Sequence, residues 1–290
     1  MINWPNFVSQ LFNGLALGAL LALISSGLTI IYGTLGVLNL AHGAMFMIGG
    51  YAGYVTYSYT GSFILAVIAG SLFVMALGVA MERIIIRHFY HRPHEDQLLV
   101  TFGLGICFVE IVRLIFTSQS QVVPPPAMLQ GITSLGFLFY PTYRLAVVGI
   151  VAVALGGLFL ILYRTRLGMI VRAGIEDSVM VDSLGINVYR VFMIVFGIGA
   201  MAAGFAGIIN APVVSLTPGV GDDILVETLV VVIGGVGSFP GAILGGLIAG
   251  EIISITSMFN PGYAYVMLFA AMTLVLVLRP HGLLGTQGRE

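Results

Sequence analysis

The chain has 290 residues, is 59% hydrophobic and only 8% charged, and carries a net charge of −1 at pH 7. A soluble domain carries roughly 25% charged residues, so a chain this poor in charge cannot cover a surface that faces water. The bilayer is therefore expected to be its main solvent, and the small net charge argues against nucleic acid as a partner.

Eight apolar regions follow one another along the chain, and one span needs roughly 20 apolar residues. They lie at about 8–31, 43–59, 62–88, 98–117, 144–164, 187–210, 223–258 and 262–279. The region 223–258 is too long for one span and contains GGVGSFPG. The sequence therefore predicts an all-α, polytopic membrane helix bundle with eight or nine spans, forming a single transmembrane domain over residues 1–290.

Arginine placement predicts the orientation of these spans, because short cytoplasmic connections carry an excess of basic residues. Arginines occur in the connections 83–96 and 164–190 and in the C-terminal tail, whereas 118–143 and 211–222 contain none. We therefore expect the arginine-rich connections and the C-terminus on the cytoplasmic side. Three crossings before residue 90 then place the N-terminus outside.

Two glycine-rich stretches interrupt the apolar pattern, YGTLGVLNLAHGAMFMIGGY at 32–51 and IGGVGSFPGAILGGLIAGE at 233–251. Each continues with Gly-Ala and an apolar run, which predicts broken helices in an inverted repeat. Non-helical backbone at membrane depth is tolerated only where it is buried in protein or lines a cavity. A substrate path and close helix packing through small residues both remain open. The candidate path residues are Asn39, His42, Gly43, Gly234, Gly235, Gly237, Ser238 and Glu251.

Two pairs of charged residues near span ends have structural interpretations. Glu110 and Arg113 are spaced i, i+3 on one helix face and are expected to form an ion pair. Glu82 and Arg83 lie where a span meets the cytoplasm, so their side chains are expected to extend to the interface.

Lysine is absent, and all eleven basic residues are arginine. The chain therefore lacks the lysine of a Walker A phosphate loop and any lysine for a Schiff base. It contains neither an HExxH nor a GxSxG motif. We expect no catalytic, cofactor or metal site in this chain, and any ATP that drives transport must be hydrolysed by another subunit.

The segment RTRLGMIVRAGIEDSVMVDSLGINVYR, residues 164–190, concentrates charge between two spans. Residues 168–184 have the period of a short amphipathic helix, and Gly185 is placed to end it. The segment is too polar to span, so we expect a surface helix on the cytoplasmic side. Its acidic residues would be repelled by anionic lipid, which favours a protein partner over a loop that rests on headgroups.

Several stretches resemble the permease subunits of branched-chain amino acid ABC importers of the LivH type. They are GLTIIYGTLGVLNLAHGAMFMIGGY, RTRLGMIVRAGIEDSVMVDSLGINVYRVF, FGIGAMAAGFAGIINAP, VVVIGGVGSFPGAILGGLIAGE and the tail LRPHGLLG. The resemblance covers about residues 11–286, and the order of these segments makes it specific.

The resemblance implies an importer with two permease subunits, two ATPase subunits that hold ATP and Mg, and an external or periplasmic substrate-binding protein. It implies that the second permease is a paralogous heterodimer partner and that the chain is a multi-pass transport subunit of the inner membrane, not an enzyme. It also implies a coupling helix at about 166–185, seated in a cleft of the ATPase. The residues assigned to this coupling are Gly168, Arg172, Ala173, Glu176, Asp177 and Gly185.

The sequence departs from the family at Ala44, where relatives commonly carry an acidic residue directly after the Ala-His-Gly triplet. If that carboxylate meets a substrate amine, its loss favours urea, short amides or small carboxylic acids over branched-chain or related amino acids. A stand-alone channel or secondary carrier for a small neutral solute is a further alternative. A channel has no need of an ATPase dock, so the charged segment 164–190 separates the two classes.

Overall fold

The computed structural model describes residues 4–284 except 91, 135, 137, 177, 230–233 and 236, and describes only the backbone at 175, 176, 178, 179 and 227–229. Most of this chain is helical. The helices are α1 Trp4–Leu35, α2 His42–Thr60, α3 Phe63–Ile84, α4 His94–Phe116, α5 Thr142–Arg164, α6 Arg166–Glu176, α7 Ser178–Ser183, α8 Val188–Asn210, α9 Val220–Leu229, α10 Phe239–Phe259 and α11 Ala264–Leu278. Short 3-10 turns at Ile86–Phe89, Ala127–Leu129 and Pro261–Tyr263 and two strands, β1 Ile132–Ser134 and β2 Phe139–Pro141, complete the elements.

Seven of the described helices are long and apolar enough to cross a membrane, namely α1, α3, α4, α5, α8, α10 and α11 with its preceding turn. Helix α2 has 19 residues and a more polar composition. Its residues 42–51 are all buried in protein, so they need not be apolar enough to face lipid. Helix α9 is described over ten residues up to Leu229, where residues 230–233 lie outside the described part of the chain. This architecture agrees with the predicted bundle.

Both glycine-rich stretches break helices, as predicted. Helix α1 ends at Leu35, Gly36 adopts a left-handed φ of 68°, and α2 begins at His42. The long region 223–258 divides into α9 and α10, and the side chain of Ser238 caps α10 by accepting the backbone N–H of Gly241 at 3.2 Å.

The chain falls into two compact units, and the first comprises residues 1–25, 124–153 and 226–290. In this unit α1 and α10 lie against each other along small residues. A Cβ added at Gly18 would come 2.9 Å from the Cα of Leu247, so only glycine permits the observed approach. Leu21, Ala249 and Leu268 form the buried apolar cluster that joins α1, α10 and α11.

The first unit also contains the hairpin of β1 and β2, in which Thr133 pairs with Tyr140. The Tyr140 hydroxyl donates to Asn13 Oδ1 at 2.8 Å, and the Arg144 guanidinium donates to the same oxygen at 2.5 Å. The start of α1 is thereby fastened to the connection that precedes α5.

The second unit comprises residues 26–123 and 154–225. Its centre is a packing of α2, α3 and α8 through glycines, with backbone against backbone. A Cβ added at Gly70 would lie 2.8 Å from the carbonyl oxygen of Gly49, and one at Gly49 would overlap Gly204. Residues as large as Tyr51 and Phe196 fill the space beside these contacts and are buried.

The structure confirms one predicted charge pair and corrects another. Glu110 and Arg113 form an i, i+3 ion pair, and both side chains are about half exposed. Glu82 does not extend to the interface. It is completely buried and pairs with Arg87, while Arg83 remains exposed. A buried carboxylate needs a charged partner, and Arg87 in the turn after α3 supplies it. The position of the Glu82 side chain therefore depends on Arg87.

Candidate functional site

The surface segment between α5 and α8 consists of α6 and α7, with residue 177 outside the described residues. We call residues 166–185 the coupling segment, after the role that the family resemblance implies and that is proposed for it below. The predicted helix over 168–184 is helical on both sides of residue 177 and ends at Ser183. Gly185 ends α7 with a left-handed φ of 79°, and its N–H donates to the carbonyl of Asp182 at 2.9 Å. This is the glycine stop that the sequence indicated.

Gly168 lies where α6 turns beneath the end of α5. A side chain there would overlap the carbonyl oxygen of Leu162, so glycine is required for this approach. The Gly168 N–H is 3.3 Å from the hydroxyl of Thr165, which caps the new helix. Gly168 therefore fixes the angle between the span and the coupling segment.

Arg172 on α6 also contacts the C-terminal end of α5. Its guanidinium donates to the carbonyl oxygen of Leu162 and lies 5.5 Å from the centre of the Tyr163 ring. A cation at the last carbonyls of a helix is favourable because those groups carry the negative end of the helix dipole. Arg172 holds α6 against α5 and remains exposed.

The two helices bury one face and present another. Val171 and Val181 are buried, whereas Met169 is 62% exposed, Met180 59% and Leu184 72%. Ala173 is also exposed. The sequence predicts an apolar stripe of Met169, Ile170, Ala173, Val179, Met180 and Leu184. Of these, Met169, Ala173, Met180 and Leu184 are exposed in the isolated chain, Ile170 is half-buried, and the side chain of Val179 lies outside the described residues. Glu176 and Asp177 were predicted to act here, and their side chains lie outside the described residues.

The first break between α1 and α2 is buried within the protein, and Asn39 and His42 are both 0% exposed. The Asn39 side chain accepts the N–H of Ala41 at 3.1 Å and its amide is 3.6 Å from the Met45 sulfur. These contacts give Asn39 the role of a local turn residue at the start of α2.

Thr101 on α4 binds the broken segment, which sequence reasoning missed. Its hydroxyl accepts the N–H of Leu40 at 3.2 Å and lies 3.3 Å from the carbonyl of Leu38. It thereby satisfies backbone groups that the break removes from helical hydrogen bonds. A polar residue within an apolar run was the available signal, but its partner lies about 60 residues away in sequence.

Gly43 and His42 begin α2 in close contact with other helices of the second unit. A Cβ added at Gly221, near the start of α9, would lie 2.6 Å from the carbonyl oxygen of Gly43. A Cβ added at Gly27 would lie 3.3 Å from the Nε2 atom of His42. Both candidate path residues, His42 and Gly43, therefore lie at close contacts between helices.

The second break lies in the first unit and is held by backbone contacts. Gly234 packs against Gly241, and the carbonyl of Gly234 accepts the N–H of Leu284 at 3.0 Å. Gly235 and Gly237 both have left-handed φ values, of 107° and 81°. The break and the chain beyond α11 are thus tied together, as expected if both lie on the same side of the membrane.

Glu251 lies on α10 beside a cavity of about 680 Å³ that is otherwise mostly apolar. Leu15 and side chains of α10 and α11 line this cavity, among them Ile248, Thr256 and Met267. The Oε2 atom of Glu251 is buried and has no hydrogen-bond partner among the described atoms. Asn39, His42 and Gly43 belong to the second unit, whereas Gly234, Gly235, Gly237, Ser238 and Glu251 belong to the first.

Broken helices at two glycine-rich stretches, a polytopic apolar bundle and a polar surface segment between spans define a membrane transport subunit. A family model described as branched-chain amino acid transport system / permease component matches residues 10–278, and the chain belongs to this family. It is a permease, not an enzyme, and a multi-pass protein of the bacterial inner membrane.

Three named relatives extend this comparison over nearly the whole chain. The high-affinity branched-chain amino acid transport system permease protein BraD of Pseudomonas aeruginosa is 31% identical over 97% of this chain and 96% of its own length. LivH of Escherichia coli K12, with the same description, is 33% identical over 96% of each chain. LivM of the same strain is 27% identical over 98% of this chain and 72% of its own length.

Proposed function

We propose that this chain forms half of the substrate path of an ATP-driven importer of branched-chain amino acids, and that the coupling segment is where the ATPase acts. The exposed apolar face of Met169, Ala173, Met180 and Leu184 carries the proposal. Exposed apolar residues grouped in an otherwise polar segment are typical of a protein interface. The relatives BraD and LivH are named for branched-chain amino acid transport.

The partner at this face is an ATPase subunit, because the permease has no lysine and hence no Walker A motif of its own. ATP and Mg bind in two such subunits, and the permease receives the movement that follows. Asp182 is exposed beside the apolar residues, and a carboxylate at this position favours a protein partner over anionic lipid.

The remaining partners are a second, paralogous permease and an external substrate-binding protein. The similarity of this chain to both LivH and LivM of one strain supports a pairing of two related permeases. The arginine distribution supports a cytoplasmic C-terminus and coupling segment, with the N-terminus outside.

We assign candidate path residues to each break separately, Asn39, His42 and Gly43 at the first break, and Gly235 with Glu251 at and after the second. Buried polar groups at breaks in apolar helices support this assignment, since such groups are costly in hydrocarbon and mark paths in transporters. In this scheme the pair of permease subunits alternates between outward and inward openings by rigid-body rocking.

An uptake screen separates branched-chain amino acids from the alternatives that Ala44 suggests. Ala44 is buried at the start of α2, beside the first break. The complete importer in proteoliposomes, with its binding protein outside, is expected to accumulate radiolabelled leucine. Uptake of urea, short amides or small carboxylic acids without leucine would overturn the substrate assignment and leave the coupling assignment intact.

Substitution on the exposed face tests the coupling role. Met169→Glu is expected to weaken association with the ATPase and to abolish the stimulation of ATP hydrolysis by the loaded binding protein. Met128→Glu is the matched control, since Met128 is 94% exposed on the connection between α4 and α5. Normal copurification and stimulation in Met169→Glu, or uptake by this chain alone in liposomes, would contradict the proposal.

A further inference from the structure

Glu82 is the buried centre of a partly exposed cluster at the end of α3, within the second unit. Its carboxylate is 0% exposed and accepts two hydrogen bonds from Arg87, Nε to Oε1 at 3.3 Å and Nη2 to Oε2 at 3.1 Å. The Tyr90 hydroxyl donates to Oε1 at 2.7 Å. A two-pronged guanidinium contact of this kind fixes direction as well as distance.

The same cluster contacts the beginning of α8 through aromatic rings. The Arg87 guanidinium lies 5.4 Å from the centre of the Tyr189 ring. The Tyr90 ring is nearly parallel to that ring, at 6.3 Å between centres, and meets Phe192 edge-on at 5.7 Å. Burial and the hydrogen bond to Glu82 raise the pKa of Tyr90 far above its usual range, so it stays a donor.

Helix α8 joins this cluster to the coupling segment. α7 ends at Ser183 and α8 begins at Val188, and both α6 and α7 contact α8. A displacement of the coupling segment therefore reaches Tyr189 in the first turn of α8. Tyr189 in turn contacts Arg87 and Tyr90, whose positions depend on Glu82.

Helix α4 carries the contact from the cluster to the first break. The Gln97 amide donates to the carbonyls of Phe89 and Arg92 at 2.9 and 3.2 Å, so α4 holds the connection that contains Arg87 and Tyr90. Thr101 lies one turn further along α4 and binds the broken segment at Leu38 and Leu40. Gln97 and Thr101 are spaced i, i+4, so one face of α4 binds both the cytoplasmic connection and the first break.

We propose that Glu82, Arg87, Tyr90 and Tyr189 form a positioning cluster that transmits movement of the coupling segment, through Gln97 and Thr101, to the broken segment 36–41. A buried ion pair adds little net stability compared with apolar residues, but it holds one geometry. A connection fastened in this way moves as a unit, whereas an ordinary loop would absorb the displacement. The inference rests on the proposed coupling role of α6 and α7.

The decisive measurement is the number of solute molecules moved per ATP hydrolysed by the complete importer in proteoliposomes. The solute is radiolabelled leucine or whichever solute the wild-type importer accepts. Tyr90→Phe keeps the ring contacts with Tyr189 and removes only the hydrogen bond to Glu82. We expect its transport ratio to fall roughly five- to tenfold while stimulated ATP hydrolysis stays within about twofold of wild type.

Glu82→Gln is expected to give a larger fall in the same ratio, and Arg83→Gln, which alters the exposed neighbouring residue, is expected to change nothing. If Glu82→Gln does not fold because Arg87 loses its partner, Tyr90→Phe still decides the question. Combining Tyr90→Phe with Thr101→Val is expected to lower the ratio by less than the product of the two single effects, because both act on one path.

An unchanged transport ratio in Tyr90→Phe, with wild-type thermal stability, would overturn the positioning cluster. The proposed function is judged separately by Met169→Glu. If Met169→Glu abolishes ATPase stimulation while Tyr90→Phe is normal, only the positioning cluster is wrong. If Met169→Glu is itself normal, the coupling surface fails and the inference fails with it.

Discussion

The carboxyl group of Glu251 lies so close to Gly14 that a Cβ at position 14 would come within 2.5 Å of Oε2. The two helices α1 and α10 thus leave a space at Gly14 for an acidic side chain. The sequence marks Glu251 as the acidic residue hardest to explain inside an apolar run, and the residue that accommodates it is a glycine 237 positions earlier.

Gly14→Ala is expected to destabilise the permease by about 1–3 kcal/mol, because the added methyl group must displace Glu251 or separate α1 from α10. Thermal unfolding of the detergent-solubilised protein measures the effect. Gly149→Ala is the matched control, since no atom of the described residues lies within 4 Å of a Cβ there. Equal stability of the two variants would show that Glu251 moves away at no cost.

Gly168→Ala is expected to uncouple ATP hydrolysis from transport, because the methyl group pushes α6 away from the Leu162 carbonyl and tilts the coupling segment. Gly174→Ala lies on the same helix, and a Cβ there meets no described atom within 4 Å, so it should retain transport. Uptake and ATPase rates in proteoliposomes distinguish the two variants. Loss of transport in both variants would show that transport depends on the sequence of α6 in general and not specifically on the angle between α6 and α5.

Thr101→Val is expected to destabilise the protein by about 1–3 kcal/mol, because the N–H of Leu40 loses its acceptor in a buried site. Thr101→Ser keeps the hydroxyl and should retain most of the stability. Thr273→Val serves as the comparison, because within the described part of the chain that hydroxyl bonds only to the Phe269 carbonyl of its own helix. A small and equal loss in both valine variants would show that the broken segment does not depend on Thr101.

Substitution of Ser238 separates a capping role from a path role. Ser238→Ala is expected to cost about 1 kcal/mol, because the N–H of Gly241 loses its cap. Ser238→Asp keeps an acceptor at the start of α10 and should unfold at the wild-type temperature. If Ser238 lines the path, the added charge will still reduce uptake. Wild-type uptake in Ser238→Asp would remove this residue from the path.

The sequence predicted the apolar bundle, both breaks and a helical surface segment between α5 and α8 because each depends on local pattern, whereas the coupling role of that segment stays a prediction. Apolar runs of spanning length, Gly36 and Gly185 with their left-handed φ values, and the polar stretch after α5 all act within a few residues. The structure adds which apolar residues of the coupling segment are exposed. Periodicity predicts that a helix has an apolar face but does not show whether that face is buried or exposed.

The sequence did not reveal contacts between residues far apart in the chain. Glu82 looks like an interface residue until Arg87 and Tyr90 are placed beneath it. Thr101 looks like one hydroxyl in an apolar run until the break at 36–41 is placed beside it. Such assignments need the partner's position, which no periodicity supplies.

The backbone contact between α2 and α8 has a consequence for how this chain tolerates mutation. At Gly49, Gly204 and Gly207 even the smallest side chain would enter the opposing helix or a packed neighbour, so all nineteen replacements are expected to be harmful. A saturation mutagenesis screen should therefore find its most intolerant sites in the middle of these apolar helices. Residues that carry no functional group would then constrain the sequence more tightly than the polar residues of the path.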